Sequence, residues 1–410
     1  MFLKKLTLLI CIISFINVNA QTFTNYTNTD GLASDNVICL DIDQSDNIWF
    51  GTQNGVSKFD GTIWTTYESG TFTGMADDNI QTIFIDSNDD PWIGTDFGVS
   101  VFDGSTWTTY TSTDGLGSDQ IKCIGEDAAG DMWFGTSNGL SRYDGTIWTN
   151  YGTSDGIPFG GVNSITLKSN GDLWLGTGLS GVRVYDGSVF NELTSADDGL
   201  INDRIRSIAI EDNNYAWVGT AEGITLLNPS DIFQTNYTTI FTLPAPDTLN
   251  PIEDIEIDGN GNIWVGVYVD YLVTEGGISV YNGFQWMQFD VGDGLIGPVV
   301  REIEIDGNND VWVATSSGVS KISNLDYLNV VEENISNLFS VYPNPAINNF
   351  NVVCDHSEEG SVIELYNAGM QVIKTETINF GSSNIISTDG MAQGIYFIRV
   401  GNHVEKLIVE

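Results

Sequence analysis

The chain has 410 residues, with 55 acids against 14 bases and a formal charge of −41. A body this anionic repels phosphate backbones and acidic lipid, which argues against nucleic acid or a membrane surface as partner. His356 and His403, the two histidines, both lie near the C-terminus, so the rest of the chain has no Ser-His-Asp triad, Cys-His pair or His-ligated zinc.

The first segment, residues 1–20, reads as a secretory signal. Lys4 and Lys5 supply the positive start, Leu6 to Phe15 the apolar run, and Val18-Asn19-Ala20 the small-residue cleavage site. That run is shorter than the roughly 20 apolar residues a bilayer span needs, and no transmembrane anchor is expected further along. Cys39, Cys123 and Cys354 remain after the signal, an odd set without metal-like spacing, so no disulfide framework is expected. Cys39 and Cys123 hold the same place in two repeats, as small buried residues would.

The tryptophans reveal those repeats. Trp49, Trp92, Trp133, Trp174, Trp217, Trp264 and Trp312 follow one another at intervals of 43, 41, 41, 43, 47 and 48 residues, each with a Gly-Thr-like sequence after it. Nine residues before each Trp stands Leu40, Ile83, Ile124, Ile165, Ile208, Ile255 or Ile303, and apolar residues at alternate positions mark a strand. An Asp/Asn/Gly turn leads into the Trp strand, and a third and fourth strand follow, such as Gly55 to Phe59 and Ile63 to Tyr67. Four short antiparallel strands per repeat predict a propeller blade, and blades must stack into a ring to bury their faces. The seventh repeat ends near Ile322 without its fourth strand, and Thr22 to Tyr26 resembles the missing one. The expected fold is all-β: a seven-bladed β-propeller over residues 21–323, a linker over 324–337 and a small β-sandwich over 338–410. The repeated tryptophans are expected to pack between blades; stacking on carbohydrate is the alternative.

The Trp-x-Gly-Thr-x-x-Gly pattern, the Asp-Gly-Leu set (Asp30-Gly31-Leu32, Asp114-Gly115-Leu116, Asp198-Gly199-Leu200, Asp293-Gly294-Leu295) and the Asp-x-x-Gly-Asn-x-Trp turn resemble two-component regulator propeller repeats. That family often supplies the periplasmic sensors of hybrid histidine kinases that detect glycans. This chain departs from them in having no kinase segment, so only the propeller carries over. In the tail, Tyr342-Pro343-Asn344-Pro345, Leu365 to Gly369, Gly390 to Phe397 and Lys406 to Val409 resemble, in order and spacing, a type IX secretion system C-terminal sorting domain. Pro343, Asn344, Pro345, Gly394, Tyr396 and Lys406 carry the match. The resemblance implies engagement of the secretion machinery and delivery to the exterior of a Gram-negative outer membrane, secreted or surface-bound.

Two constellations are candidates for chemistry. Asp254 and Glu256 in repeat six, Glu302 and Glu304 in repeat seven, and Asp41 in repeat one alternate along inner strands, with Asp258, Asp306 and Asp43 two residues further on. If that face looks toward the axis, three adjacent blades form a carboxylate wall. Such a wall suits a hard cation such as Ca²⁺, with a solvated acidic channel as the alternative, and no cofactor is otherwise implied. The second set is cationic and aromatic: Lys122, Arg206 and Arg301 lie eleven residues before their Trp, and Tyr268 and Tyr271 stand in an enlarged loop of repeat six. Together they suit a sugar or an acidic group. The expected function is a non-enzymatic exported binding protein for a glycan or peptide. A secreted glycan-degrading enzyme working through channel acids, or a purely adhesive module, is the rival.

Overall fold

The computed structural model describes residues 21–243, 249–268, 276–283 and 285–325. In the tail it describes 339–342, 346–354, 362–367, 372–377, 384–388, 391, 393–400 and 403–409. The signal segment, the linker from 326 to 338, Tyr271 and Pro343-Asn344-Pro345 lie outside the described residues, as do the side chains of Tyr268 and Lys406. The chain divides into two compact units, residues 1–329 and 330–410.

The first unit contains seven four-stranded antiparallel sheets. Blade one is typical: Val37–Ile42, Ile48–Thr52, Gly55–Phe59 and Trp64–Tyr67 pair in chain order. The seventh sheet takes Val300–Ile305, Val311–Thr315 and Gly318–Ser323 from one end of the repeat array and Thr22–Tyr26 from the other. Phe23 sits opposite Ile322 and Tyr26 opposite Val319 in that register. Each inner strand touches the inner strand of the next blade, and Val300–Ile305 touches Val37–Ile42, so the ring is closed. Of the apolar residues nine before each Trp, Leu40, Ile83, Ile124, Ile208, Ile255 and Ile303 are buried between blades, and Ile165 is half-buried.

The repeated tryptophans are buried in the same seams. Trp264 of blade six, for example, packs with Leu295, Val300 and Val313 of the following blade. The alternative of a sugar-stacking platform is therefore not what these rings do. The indole N–H of each needs a partner once buried, and the sequence places one six residues upstream. Asp43, Asp86, Asp127, Glu211, Asp258 and Asp306 accept the indole N–H of their own Trp at 2.7–3.1 Å. The aspartates also accept backbone N–H groups of the intervening turn, so one carboxylate closes the hairpin and seats the ring. Blade four departs from this pattern. Lys168 replaces the acid, its ammonium lies 5.0 Å from the Trp174 ring centroid, and the indole N–H has no hydrogen-bond partner.

The second unit contains two sheets, one of three strands and one of four. Phe350, Val352 and Ile386 from the first share a core with Ile363, Leu365, Tyr396, Ile398 and Leu407 from the second. This is a sandwich. Strands Phe339–Tyr342 and Asn384–Ser387 add to those legible from alternation. Gly394 opens the strand that carries the buried Tyr396.

Candidate functional site

A cavity of about 1090 Å³ runs along the ring axis, lined by the inner strands. Its mouth has a specific backbone origin. In every blade the pairing of inner and second strands slips by one residue near the start of the inner strand, as between Val37 and Cys39 or between Val300 and Glu302. A bulge of this kind leaves one residue unpaired and re-aims its side chain. The bulged residues are Ile38, Gln81, Lys122, Asn163, Arg206, Glu253 and Arg301, and all of them line the cavity. The structure thus brings Lys122, Arg206 and Arg301 to one mouth. Sequence reading missed Asn163 and Glu253 there, although repeat alignment puts them at the same place.

The polar rim is partly knitted together. Lys122 Nζ donates to Gly160 O at 2.8 Å and to Asn163 Oδ1 at 3.1 Å. Asn163 Nδ2 donates in turn to Ile205 O of the next blade at 3.3 Å. Arg206 forms an ion pair with Glu253. Arg301 is half-buried at the same mouth. Tyr268 ends the strand Ile263–Tyr268, with its side chain outside the described residues.

One residue deeper, the side chains of the inner strands crowd against the Trp-x-Gly glycine, which explains that motif. A Cβ on Gly51 would stand 2.3 Å from Cys39 Sγ and 2.6 Å from Ile80 of the next blade. At this depth and the next come the acids: Asp41, Asp254, Glu256, Glu302 and Glu304 all line the cavity and are half-buried. Their neighbours Asp43, Asp258 and Asp306 are drawn aside to the tryptophans.

Three of the five carboxylates have a structural task. Asp254 accepts the Ile303 N–H at 2.8 Å, Glu302 the Leu40 N–H at 2.7 Å, and Asp41 the Ile85 N–H at 2.6 Å. Each thus bonds an inner-strand N–H of the next blade, across three consecutive seams. Ser207 does the same neutrally, accepting from Ile255 N–H at 3.2 Å. Burial pushes Asp41 up to about 7, opposed by the N–H groups of Ile85 and Ile42. Burial first, then the charge of neighbouring carboxylates, holds Glu256, Glu302 and Glu304 well above the usual range. Burial also raises Asp254. Among the described residues, no group of three or more His, Cys, Asp or Glu is arranged to hold a metal ion. At the depth of Asp41, Glu256 and Glu304, blades two to five carry the neutral residues Phe84, Gly125, Thr166 and Ala209.

Residues 340–410 match the secretion system C-terminal sorting domain, and residues 115–138 match the two component regulator propeller. Both families are represented in this chain. The sorting domain makes it a secreted or cell-surface protein of a Gram-negative bacterium and implies contact with the secretion machinery. Among the described residues no helix is long and apolar enough to cross a membrane.

Beta-agarase A of Zobellia galactanivorans is 36% identical over 80 residues, 20% of this chain and 15% of that protein, so the chain spans well under a fifth of its length. The extracellular domain of a hybrid two-component system of B. thetaiotaomicron shares the fold at TM-score 0.61 and 18% identity, over 95% of this chain and 59% of that one. PorZ of Porphyromonas gingivalis, a surface component of the type-IX secretion system, aligns at TM-score 0.56 and 15% identity, over 90% of this chain and 59% of that one. The virginiamycin B lyase of Staphylococcus aureus aligns at TM-score 0.57 and 16% identity, over 74% of this chain and 99% of that one. At these identities the likeness is one of fold.

Proposed function

We propose that the protein is an exported binding module that recognises its ligand at the bulge-built mouth of the axial cavity. One observation supports this above the others. The same backbone irregularity in every blade turns a side chain toward one opening, and there the ring presents Lys122, Asn163, Arg206 and Arg301. These groups are hydrogen-bond donors set above a deep cavity, which is the form of a recognition site rather than of a solvated surface. The test is a glycan and peptide array probed with the full-length secreted protein, followed by Asn163→Trp, which fills the mouth. Loss of the array signal with an unchanged melting curve is expected. Retention of every signal in the variant removes the mouth as the site.

A second reading rests on Asp41. A carboxyl pushed up to about 7 is half-protonated near neutral pH, as a general acid must be, and other carboxylates stand in the same wall. Release of reducing ends from a neutral polysaccharide, abolished by Asp41→Asn, would support a hydrolase. No release supports binding alone.

A further inference from the structure

The face that carries the mouth also displays apolar side chains that the repeat does not require. Phe159 is 90% exposed, Leu179 79% and Phe97 64%. Phe159 lies in the loop entering blade four, where the equivalent residues of other repeats are Ser34, Asp77, Ser118, Asn202 and Gly297, with the exposed Leu249 in blade six. Phe97 lies in the turn between the second and third strands of blade two, five residues after its Trp, where blades one, three, five and seven carry Asn54, Asn138, Glu222 and Ser317 and blades four and six carry Leu179 and Val269. The turn itself is indifferent to the substitution. Phe97 N–H donates to Thr95 Oγ1 at 3.0 Å, as Asn54 N–H donates to Thr52 Oγ1 at 3.0 Å. Leu179 likewise stands in the second-to-third-strand turn of blade four.

These side chains are tied to the mouth. Gly160, next to Phe159, gives its carbonyl to Lys122 at 2.8 Å. Gly178, next to Leu179, lies against Asn163, whose Nδ2 would be 3.5 Å from a Cβ there. Apolar groups exposed where most sibling repeats are polar mark an interaction surface. The exposed aliphatics on the 3–4 turns, Ile63, Ile147, Val189 and Ile232, lie at the other ends of the strands, away from the mouth.

Charge selects the occupant. Eleven carboxylate residues and three cationic ones line the cavity, and Arg206 is already matched by Glu253. We propose that the mouth docks a basic peptide segment of a partner protein: apolar residues rest on Phe159 and Leu179 while a lysine side chain enters the cavity. This rests on the mouth being the binding site and names the ligand class for it. The four-carbon stem of a lysine suits the Phe84 and Ala209 wall, and its ammonium suits the facing Glu256 and Glu304.

The probe is a fluorescein-labelled nonapeptide with two lysines among leucine and phenylalanine, titrated into the full-length secreted protein beside its glutamate-for-lysine isomer. The lysine peptide is expected to bind at least tenfold more tightly, with affinity falling as salt rises. Phe159→Ser and the double variant Glu256→Gln/Glu304→Gln are each expected to weaken it about tenfold, with melting curves showing an intact ring. Equal binding of the two peptides, or full affinity in Phe159→Ser, overturns the proposal. If a neutral glycan binds instead and Asn163→Trp abolishes that binding, the mouth stands and the peptide proposal falls. If no probe responds to Asn163→Trp, both fall.

Discussion

Tyr26 stacks on Trp312 with ring centroids 5.7 Å apart and an interplanar angle of 16°. In other blades the same stack is internal to one repeat: Trp49 on Tyr67, Trp133 on Tyr151 and Trp217 on Tyr237. Here the partner comes from the opposite end of the repeat array, so this contact is part of the clasp that closes the ring. Asn25 adds a hydrogen bond from Ser320 Oγ at 2.7 Å. Tyr26→Ala is expected to destabilise the ring by about 3 kcal/mol, the range of a large aromatic truncation in a core. Tyr26→Phe, which keeps the stacked ring, should stay near wild type. Urea melts of the full chain measure both, and an unchanged midpoint for the alanine variant would contradict the clasp.

Asp306 joins the same clasp to its hairpin. Its carboxylate accepts the Trp312 indole N–H at 3.0 Å and the Lys321 ammonium at 3.1 Å, and those bonds hold it below the usual carboxylate range. Asp306→Ala leaves a buried indole N–H without its acceptor and Lys321 with Asp310 alone. A loss of about 3 kcal/mol is expected. Asp306→Asn, which keeps an acceptor oxygen, should cost less. Equal melting temperatures for wild type and Asp306→Ala would show that the indole bond contributes nothing.

The carboxylate wall gives the protein an unusual pH profile. Asp41, Asp254, Glu256, Glu302 and Glu304 titrate above their unfolded values, so the folded ring binds more protons than the unfolded chain. Their contribution is fully present below the unfolded carboxylate range, near pH 4, and is lost as pH rises through the folded values, about 7 for Asp41. Asp43, lowered to about 2, and Asp306 act with opposite sign, and their contribution is lost as pH falls below about 4. The melting temperature is expected to peak on the acid side of neutrality and to fall between pH 5 and pH 8. Glu256→Gln/Glu304→Gln should flatten that fall. A melting temperature that climbs from pH 5 to pH 8 would refute the profile.

Cys39 and Cys123 line the cavity yet are chemically quiet. Both are free and buried, and burial pushes the Cys123 thiol up to about 12 and the Cys39 thiol well above its ordinary value. A thiol in that state offers little thiolate at pH 8. In a Cys354→Ser background, maleimide labelling of the mature folded protein should be negligible and rise to two thiols in denaturant. Rapid labelling of the native ring would show an opening that the structure does not display.

The tail predicts export. Removing residues 338–410 deletes the segment matched by the sorting domain. The truncated propeller is expected to accumulate inside the outer membrane, measured by fractionation and immunoblotting. Normal amounts in the medium would deny the tail its sorting role.

Much of this protein is determined by sequence alone, because its information is local and repeated. The Trp period, the alternation before each Trp and the unpaired last repeat are enough to name blades, a ring and its closing strand. The acid six residues before every Trp but Trp174 was equally visible. Only the fold shows that Asp43, Asp258 and Asp306 serve an indole. The mouth was half legible. Lys122, Arg206 and Arg301 share a repeat position, but a one-residue bulge decides that this position faces the opening, and pairing register is a property of two strands together. The roles of Asp254, Glu302 and Asp41 are the clearest case of what tertiary structure alone decides. Their partners are N–H groups of Ile303, Leu40 and Ile85, left unpaired because an inner strand is a sheet edge. Which carboxylate meets which edge follows from closing the ring, which sets residues from distant parts of the chain side by side.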